Sequence, residues 1–131
     1  MSDAVIHVEL VSAARRVWSG EATMVIARTT DGDIGILPNH APTLCLLVPG
    51  VVDIQTTEGE TWVAMVDGGF LSVARNQVSV LSEHVEMSHE INLEKARHDL
   101  ERARSSGEVS DDATARLAFH QARIRAAERA S

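Results

Sequence analysis

At 131 residues, 44% apolar and 24% charged, the chain has room for one ordinary domain, or a small domain with an appendage, and is too short for a large multi-domain enzyme. Its formal charge of −7 repels a phosphate backbone, which excludes nucleic-acid binding by charge neutralisation. No stretch approaches the roughly 20 apolar residues of a spanning helix, so direct membrane insertion is not expected. The aromatic residues are Trp18, Trp62, Phe70 and Phe119, so a core must be built from Val, Ile, Leu, Met and Ala. A single cysteine, Cys45, with no signal-peptide pattern, points to a reducing, cytoplasmic compartment.

The chain opens on Ile6, Val8 and Leu10 alternating with His7 and Glu9, a period of two that predicts a strand with one apolar face. Further short runs follow at Met24–Ala27, Thr43–Val48, Val51–Thr56, Trp62–Val66, Phe70–Val73 and Val78–Leu81. Turn residues stand between them at Asp31-Gly32, Pro38-Asn39, Pro49-Gly50, Glu58-Gly59, Gly68-Gly69 and Arg75-Asn76. Many short strands without intervening helical periods predict a β-sandwich or barrel, with Thr57–Glu60 as its best hairpin turn. Cys45, inside the apolar run Leu44–Leu47, reads as a buried and inert thiol.

The composition changes near residue 88. Residues 1–87 hold seven of the eight glycines, all three prolines, and 4 bases against 11 acids; residues 88–131 hold nine alanines and 8 charges of each sign. The expected division is therefore a β-sandwich domain over 1–87 and a helical hairpin over 88–131. Asn92 is placed to cap a first helix with Leu93, Ala96, Leu100 and Ala103 in one stripe, ended by Ser105-Ser106-Gly107. Ser110 is placed to cap a second, with Ala113, Leu117, Ile124 and Ala127 in line and Asp111 and Asp112 at its positive end. Such narrow alanine stripes bury little area, so the hairpin should hold to its support by only a few kcal/mol and be detachable.

No phosphate loop, nucleophile elbow or His-Glu-x-x-His pair occurs, and no catalytic constellation stands out. His84, His89 and Glu90 lie close in sequence, but no second ligand-bearing segment accompanies them, so no metal site is expected.

The segment Gly32-Asp33-Ile34-Gly35-Ile36-Leu37-Pro38-Asn39-His40-Ala41-Pro42 resembles the Gly-x-Leu-Gly-Ile-x-Pro-x-His-Ala-Pro signature of the epsilon subunit of F-type ATP synthases. Val11-Ser12-Ala13 with Trp18-Ser19-Gly20 is similar to that family's first strands, as are Gly68–Val73 and Asn76–Leu81 to later ones. Within the segment, Gly32 and Gly35 suit a tight or closely packed backbone, and Pro38 and Pro42 stiffen the loop around His40.

The resemblance implies a non-catalytic central-stalk subunit, peripheral on the cytoplasmic face of the cell membrane. Its sandwich would bind the gamma subunit and touch the c-ring, with Asp33 toward the ring and His40 toward gamma. It also implies that the hairpin restrains ATP hydrolysis by meeting the alpha and beta subunits through Arg116, Arg123, Arg125 and Arg129. Some relatives hold one ATP on the folded hairpin through Ile/Leu-Asp-x-x-Arg-Ala. Here Asn92 and Lys95 replace the acid and the arginine of that motif, Ala96 is kept, and Glu86, Arg102 and Arg125 match other positions, so ATP binding would be weak or absent and no resident cofactor is implied. The alternative is a soluble β-sandwich adaptor that grips a protein partner through its hairpin, which would have no reason to contain the Gly32–Pro42 segment.

Overall fold

The apolar face of β1 (Ile6–Ser12) is buried between two neighbours, antiparallel β2 (Arg16–Thr29) and parallel β6 (Gln77–Ser82). These pairings, with β4 (Thr43–Thr56) and β5 (Thr61–Ala74), close a ring in the order β1, β6, β5, β4, β2 and back to β1. The computed structural model describes residues 4–130. Two short strands flank the ring: β3 (Gly32–Ile36) pairs with the second half of β2, and β7 (Val85–Met87) with β5. The flattened interior is filled by Ile6, Val8, Leu10, Val25, Ile36, Val52, Ile54, Leu71 and their neighbours, the branched aliphatic set that the scarcity of rings requires.

Two pairs of expected strands turn out to be single long ones. β4 runs through Pro49-Gly50 and β5 through Gly68-Gly69, in one unbroken register that pairs Leu47 with Gly69 and Pro49 with Asp67. The punctuation marks a crease rather than an end. Opposite the two glycines, β6 gives way to β7, and the intervening Ser82 accepts the Asp67 N–H at 3.2 Å and donates to the His84 carbonyl at 3.1 Å. β4 likewise departs from β2 beside Pro49, where the missing N–H costs no ladder bond. Gly32–Ile36, where no strand was expected, forms strand β3, because its backbone finds partners along β2 from Thr29 to Val25.

The Thr57–Glu60 turn forms as expected, with Gly59 at φ 85° and the Thr56 N–H donating to Glu60 at 2.8 Å. At the next hairpin Arg75 and Asn76 both take positive φ, 52° and 61°, the pattern whose twist suits a two-residue connection. Cys45 is half-buried rather than buried, at the rim of the core.

After a 3-10 turn at Ser88–Glu90, α1 (Leu93–Ser105) begins under Asn92, whose side chain accepts the Lys95 N–H at 3.0 Å. Ser110 caps α2 (Asp111–Ala130) through the Ala113 N–H, also at 3.0 Å. α1 rests on α2, and α2 lies on β4, β5 and the 3-10 turn. The expected α1 stripe is buried at Ala96 and Leu100. On α2 the buried line is Ala113, Ala122, Ala126 and Ala127, while Leu117 and Ile124 are half-buried, since a helix wedged between a sheet and another helix presents its smallest residues at the closest approach. Val63 and Met65 of β5 cluster with Ala122, Ala126 and Ala127.

Candidate functional site

Two features stand out once the fold is assembled: the polar contacts that hold the hairpin to the barrel, and an apolar row on the part of the sheet the helices leave open.

The first is centred on Arg123, whose side chain is only 14% exposed although it belongs to a helix full of solvated arginines. Its guanidinium spans β7 and α1. Nε and Nη2 donate to the two oxygens of Glu86 at 2.8 and 3.3 Å, and Nη1 lies 3.6 Å from Asp99. Glu86 also takes His84 Nε2 at 2.6 Å, and Asp99 takes Lys95 Nζ at 3.0 Å. Phe119 covers the cluster, its ring against His84 at 5.1 Å and under Arg123 at 5.9 Å. Burial is the largest single influence on the Glu86 carboxyl and opposes its charge. The hydrogen bonds and charges of His84 and Arg123 together outweigh it, holding the carboxyl below its ordinary 4.5. The hydrogen bond from Lys95 lowers Asp99 in the same sense.

A second clasp closes the other end of α2, where Arg129 Nη2 meets Asp53 of β4 at 2.9 Å. Asp53 Oδ1 is buried without a partner, and burial pushes this carboxyl above its ordinary 3.8 despite Arg129. Arg97 of α1 joins Glu128 of α2 at 3.1 Å. Among the described residues α2 is thus fastened to the barrel by small apolar contacts and two ion pairs, with a small buried apolar area between them.

Removing Glu86 tests the stronger clasp. Glu86→Gln should leave the Arg123 charge half-served in a largely dry site and weaken hairpin docking by about 2 kcal/mol, read as faster amide exchange in 111–130 with the barrel unchanged. Because its carboxyl is depressed, the stabilisation from Glu86 is complete above 4.5 and is lost as pH falls through its lower folded value. A variant with wild-type exchange in α2 would show that the pair does not hold the hairpin.

The residues singled out in the sequence are scattered. Asp33 is exposed on β3 and pairs with Arg28 at 3.2 Å. His40 follows β3 in a turn, with Nδ1 2.7 Å from the Ala41 carbonyl; a carbonyl only accepts, so Nδ1 carries the proton. That turn is tied to the β5–β6 turn by a reciprocal pair that sequence reasoning did not anticipate: the Asn39 N–H donates to Asn76 Oδ1 at 2.6 Å, and Asn76 Nδ2 donates back to Asn39 Oδ1 at 3.3 Å. The positive φ of Asn39, 68°, was legible in the Pro38-Asn39 pair; its distant partner was not.

Of the four arginines of α2, Arg123 and Arg129 are engaged in the clasps, Arg116 pairs with Glu108 before the helix, and Arg125 is exposed beside Arg28, Asp33, Asp53 and Arg129 in a shallow hollow. The six nucleotide-site candidates do not converge. Glu86 is taken up by His84 and Arg123, Asn92 by the helix cap, Lys95 by Asp99, and Ala96 is buried, while no hydrogen bond or ion pair among the described residues joins Arg102 or Arg125 to the rest. His84, His89 and Glu90 serve separate partners: Glu86, the Trp62 ring and the Met87 N–H.

The second feature crosses three strands. Leu46 pairs with Phe70 and Phe70 with Leu81, so their side chains stand in one row on the same face, 52%, 49% and 53% exposed. Leu44, two residues along β4, extends it. Single exposed apolar residues are ordinary; four contiguous ones on a regular sheet are an interaction surface.

A closed β-ring carrying a clasped helical hairpin and an open apolar row is a modular interaction subunit. Residues 5–88 match the family model for the ATP synthase delta/epsilon chain, beta-sandwich domain. The chain is 53% identical over 105 residues to the ATP synthase epsilon chain of Streptomyces avermitilis, covering 80% of this chain and 85% of that one. It is 48% identical over 124 residues to the epsilon chain of Rhodococcus jostii, covering 94% and 96%. The chain belongs to the ATP synthase epsilon chain family. In fold it is similar to a chain of the Euglena gracilis mitochondrial ATP synthase, at a TM-score of 0.79 and 24% identity over 99% of this chain and 83% of that one. A chain of the Tetrahymena thermophila mitochondrial central stalk and c-ring structure follows at 0.60 and 14%, over 95% of each.

Proposed function

We propose that this protein is a non-catalytic rotor subunit of a proton-translocating ATP synthase, seated on the gamma subunit through the barrel, touching the c-ring, and transmitting ring rotation toward catalytic sites carried by other subunits. The observation that carries this reading is the Leu44, Leu46, Phe70 and Leu81 row, a ready-made apolar contact in a member of the epsilon chain family. Its place would be peripheral, on the cytoplasmic face of the membrane, through the complex; no helix among the described residues is long and apolar enough to cross a bilayer. Asp33, exposed at the start of β3, would face the ring, and His40, in the turn tied down by Asn39 and Asn76, would face gamma. Mixed with purified gamma, the chain should elute from gel filtration as a one-to-one complex at micromolar concentration. Absence of that complex would sink the assignment.

The hairpin would regulate hydrolysis. Release of α2 frees Arg123 and Arg129 from Glu86 and Asp53, and with Arg116 and Arg125 they would present a basic face to acidic segments of the alpha and beta subunits. In the assembled enzyme, removing residues 88–131 should raise ATP hydrolysis and leave coupled synthesis largely intact; unchanged hydrolysis would show that the hairpin is no brake.

ATP binds this chain weakly or not at all. A nucleotide at the six candidate positions would have to displace Arg123 from Glu86 and Asp99 from Lys95, and Lys95 lacks the fork that grips phosphate. Calorimetric titration should give at best a millimolar constant, about −4 kcal/mol, and a micromolar one would refute the argument.

A further inference from the structure

His120 takes no part in the clasps, yet its position on α2 is constrained. Its imidazole stands edge-on to the Phe119 ring at 5.4 Å, and its Nδ1 is buried with no hydrogen-bond partner among the described residues. A neutral imidazole tolerates this with an idle lone pair. An imidazolium carries a donor on each nitrogen, and the proton on Nδ1 would have no acceptor.

The surrounding charges point the same way. From α1 it faces Lys95 and Asp99, and along α2 Arg116 and Arg123. Asp99 is the one anion among them and is already shared by Lys95 and Arg123. Other charged groups packed against α2 have partners of their own: Glu86 of β7 in Arg123 and His84, Asp53 of β4 in Arg129, Arg97 of α1 in Glu128, and Glu90 of the 3-10 turn in the Met87 N–H and Arg15, with His89 against Trp62. β5 offers the helix apolar Val63 and Met65.

We propose that His120 is a proton sensor for hairpin closure: its unpartnered Nδ1 admits only the neutral ring while α1 and α2 are packed together, so mild acidification opens the pair. Burial, the main influence, and the three cations hold the folded imidazole below its ordinary 6.5 against the pull of Asp99. A base depressed on closure binds its proton preferentially in the open state. The closed state therefore keeps its full advantage above 6.5 and loses it as pH falls toward the folded value. This window lies above that of Glu86, which titrates below 4.5, so the two groups are separable by pH. The proposal rests on the reading of the hairpin as a movable element and adds the signal that moves it.

Two measurements on the full chain test it. In an NMR titration, the His120 imidazole should take up its proton below its ordinary 6.5. Pyrene labels at Glu101→Cys and Ala115→Cys in a Cys45→Ser background report helix proximity by excimer emission. The open-to-closed ratio should rise, by at most about tenfold, from about pH 7.5 to about pH 5.5, and stay flat in His120→Gln, which cannot take the proton. A His120 midpoint at or above its ordinary 6.5 would overturn the sensor, as would a His120→Gln profile that follows the wild type. Failure of the brake is distinct: it would appear as unchanged hydrolysis in the truncated enzyme at neutral pH, whatever the excimer signal does.

Discussion

Gly69→Ala should fail to fold stably. Gly69 sits at φ 100°, and a Cβ there would lie 2.0 Å from the Leu81 carbonyl oxygen and 2.9 Å from the Ser82 Cα. Both are backbone atoms in a paired strand, so no rotamer change relieves the clash. The expected loss is about 4 kcal/mol or more, a large fraction of the roughly 5–15 kcal/mol typical of a single domain. Gly59→Ala is the control. It has a positive φ of 85° but nothing within 4 Å of the added carbon, and should cost only about 1 kcal/mol. Denaturant midpoints of the two variants decide the matter; equal midpoints would mean that the crease between β5 and β6 gives way more easily than its geometry implies.

The same crease shows where sequence reading succeeds and where it stops. Gly68-Gly69 and Pro49-Gly50 were legible as breaks because their local chemistry disfavours regular strand. Their register was not legible, because it is set by partners far along the chain: Asp67 against Pro49, and Ser82 lodged against both β5 and His84. A glycine pair that ends one strand and a glycine pair that lets one strand bend are identical in one dimension. The helices were easier, since a cap such as Asn92 or Ser110 acts within three residues. The candidate site was legible only in part. Arg123 and Arg129 were visible as charges, but Glu86 and Asp53, which hold them, lie in the other module, and no local pattern pairs residues across that separation. The apolar row was likewise hidden, because Leu46, Phe70 and Leu81 belong to three different runs that each look like ordinary strand.

Phe70→Asp should abolish the complex with gamma while leaving the barrel folded. Phe70 is the middle member of the row and is half-exposed, so a carboxylate there is well solvated in the free protein and costs the fold little. Under a partner it would be a buried, unpaired charge at the centre of the contact. The affinity should fall about 100-fold or more, roughly 3 kcal/mol. Glu58→Ala, in the exposed turn at the far end of β4 and β5 from the row, should retain gamma binding. Retention of the complex by Phe70→Asp, with circular dichroism unchanged, would move the gamma contact elsewhere on the barrel.

The parallel pairing of β1 with β6 has a consequence for the protein's biosynthesis. β1 can pair with β2 as soon as both have left the ribosome, but its other edge stays open until Gln77–Ser82 has emerged. Nearly two-thirds of the chain must therefore be made before the ring can close, and the nascent protein carries an unpaired, apolar-faced edge for most of its translation. The hairpin follows last, too late to template the barrel, and meets on β4 and β5 a surface already set. Slow closure should make the nascent chain a client for ribosome-associated chaperones, with their demand ending at the codons for β6 rather than at the stop codon.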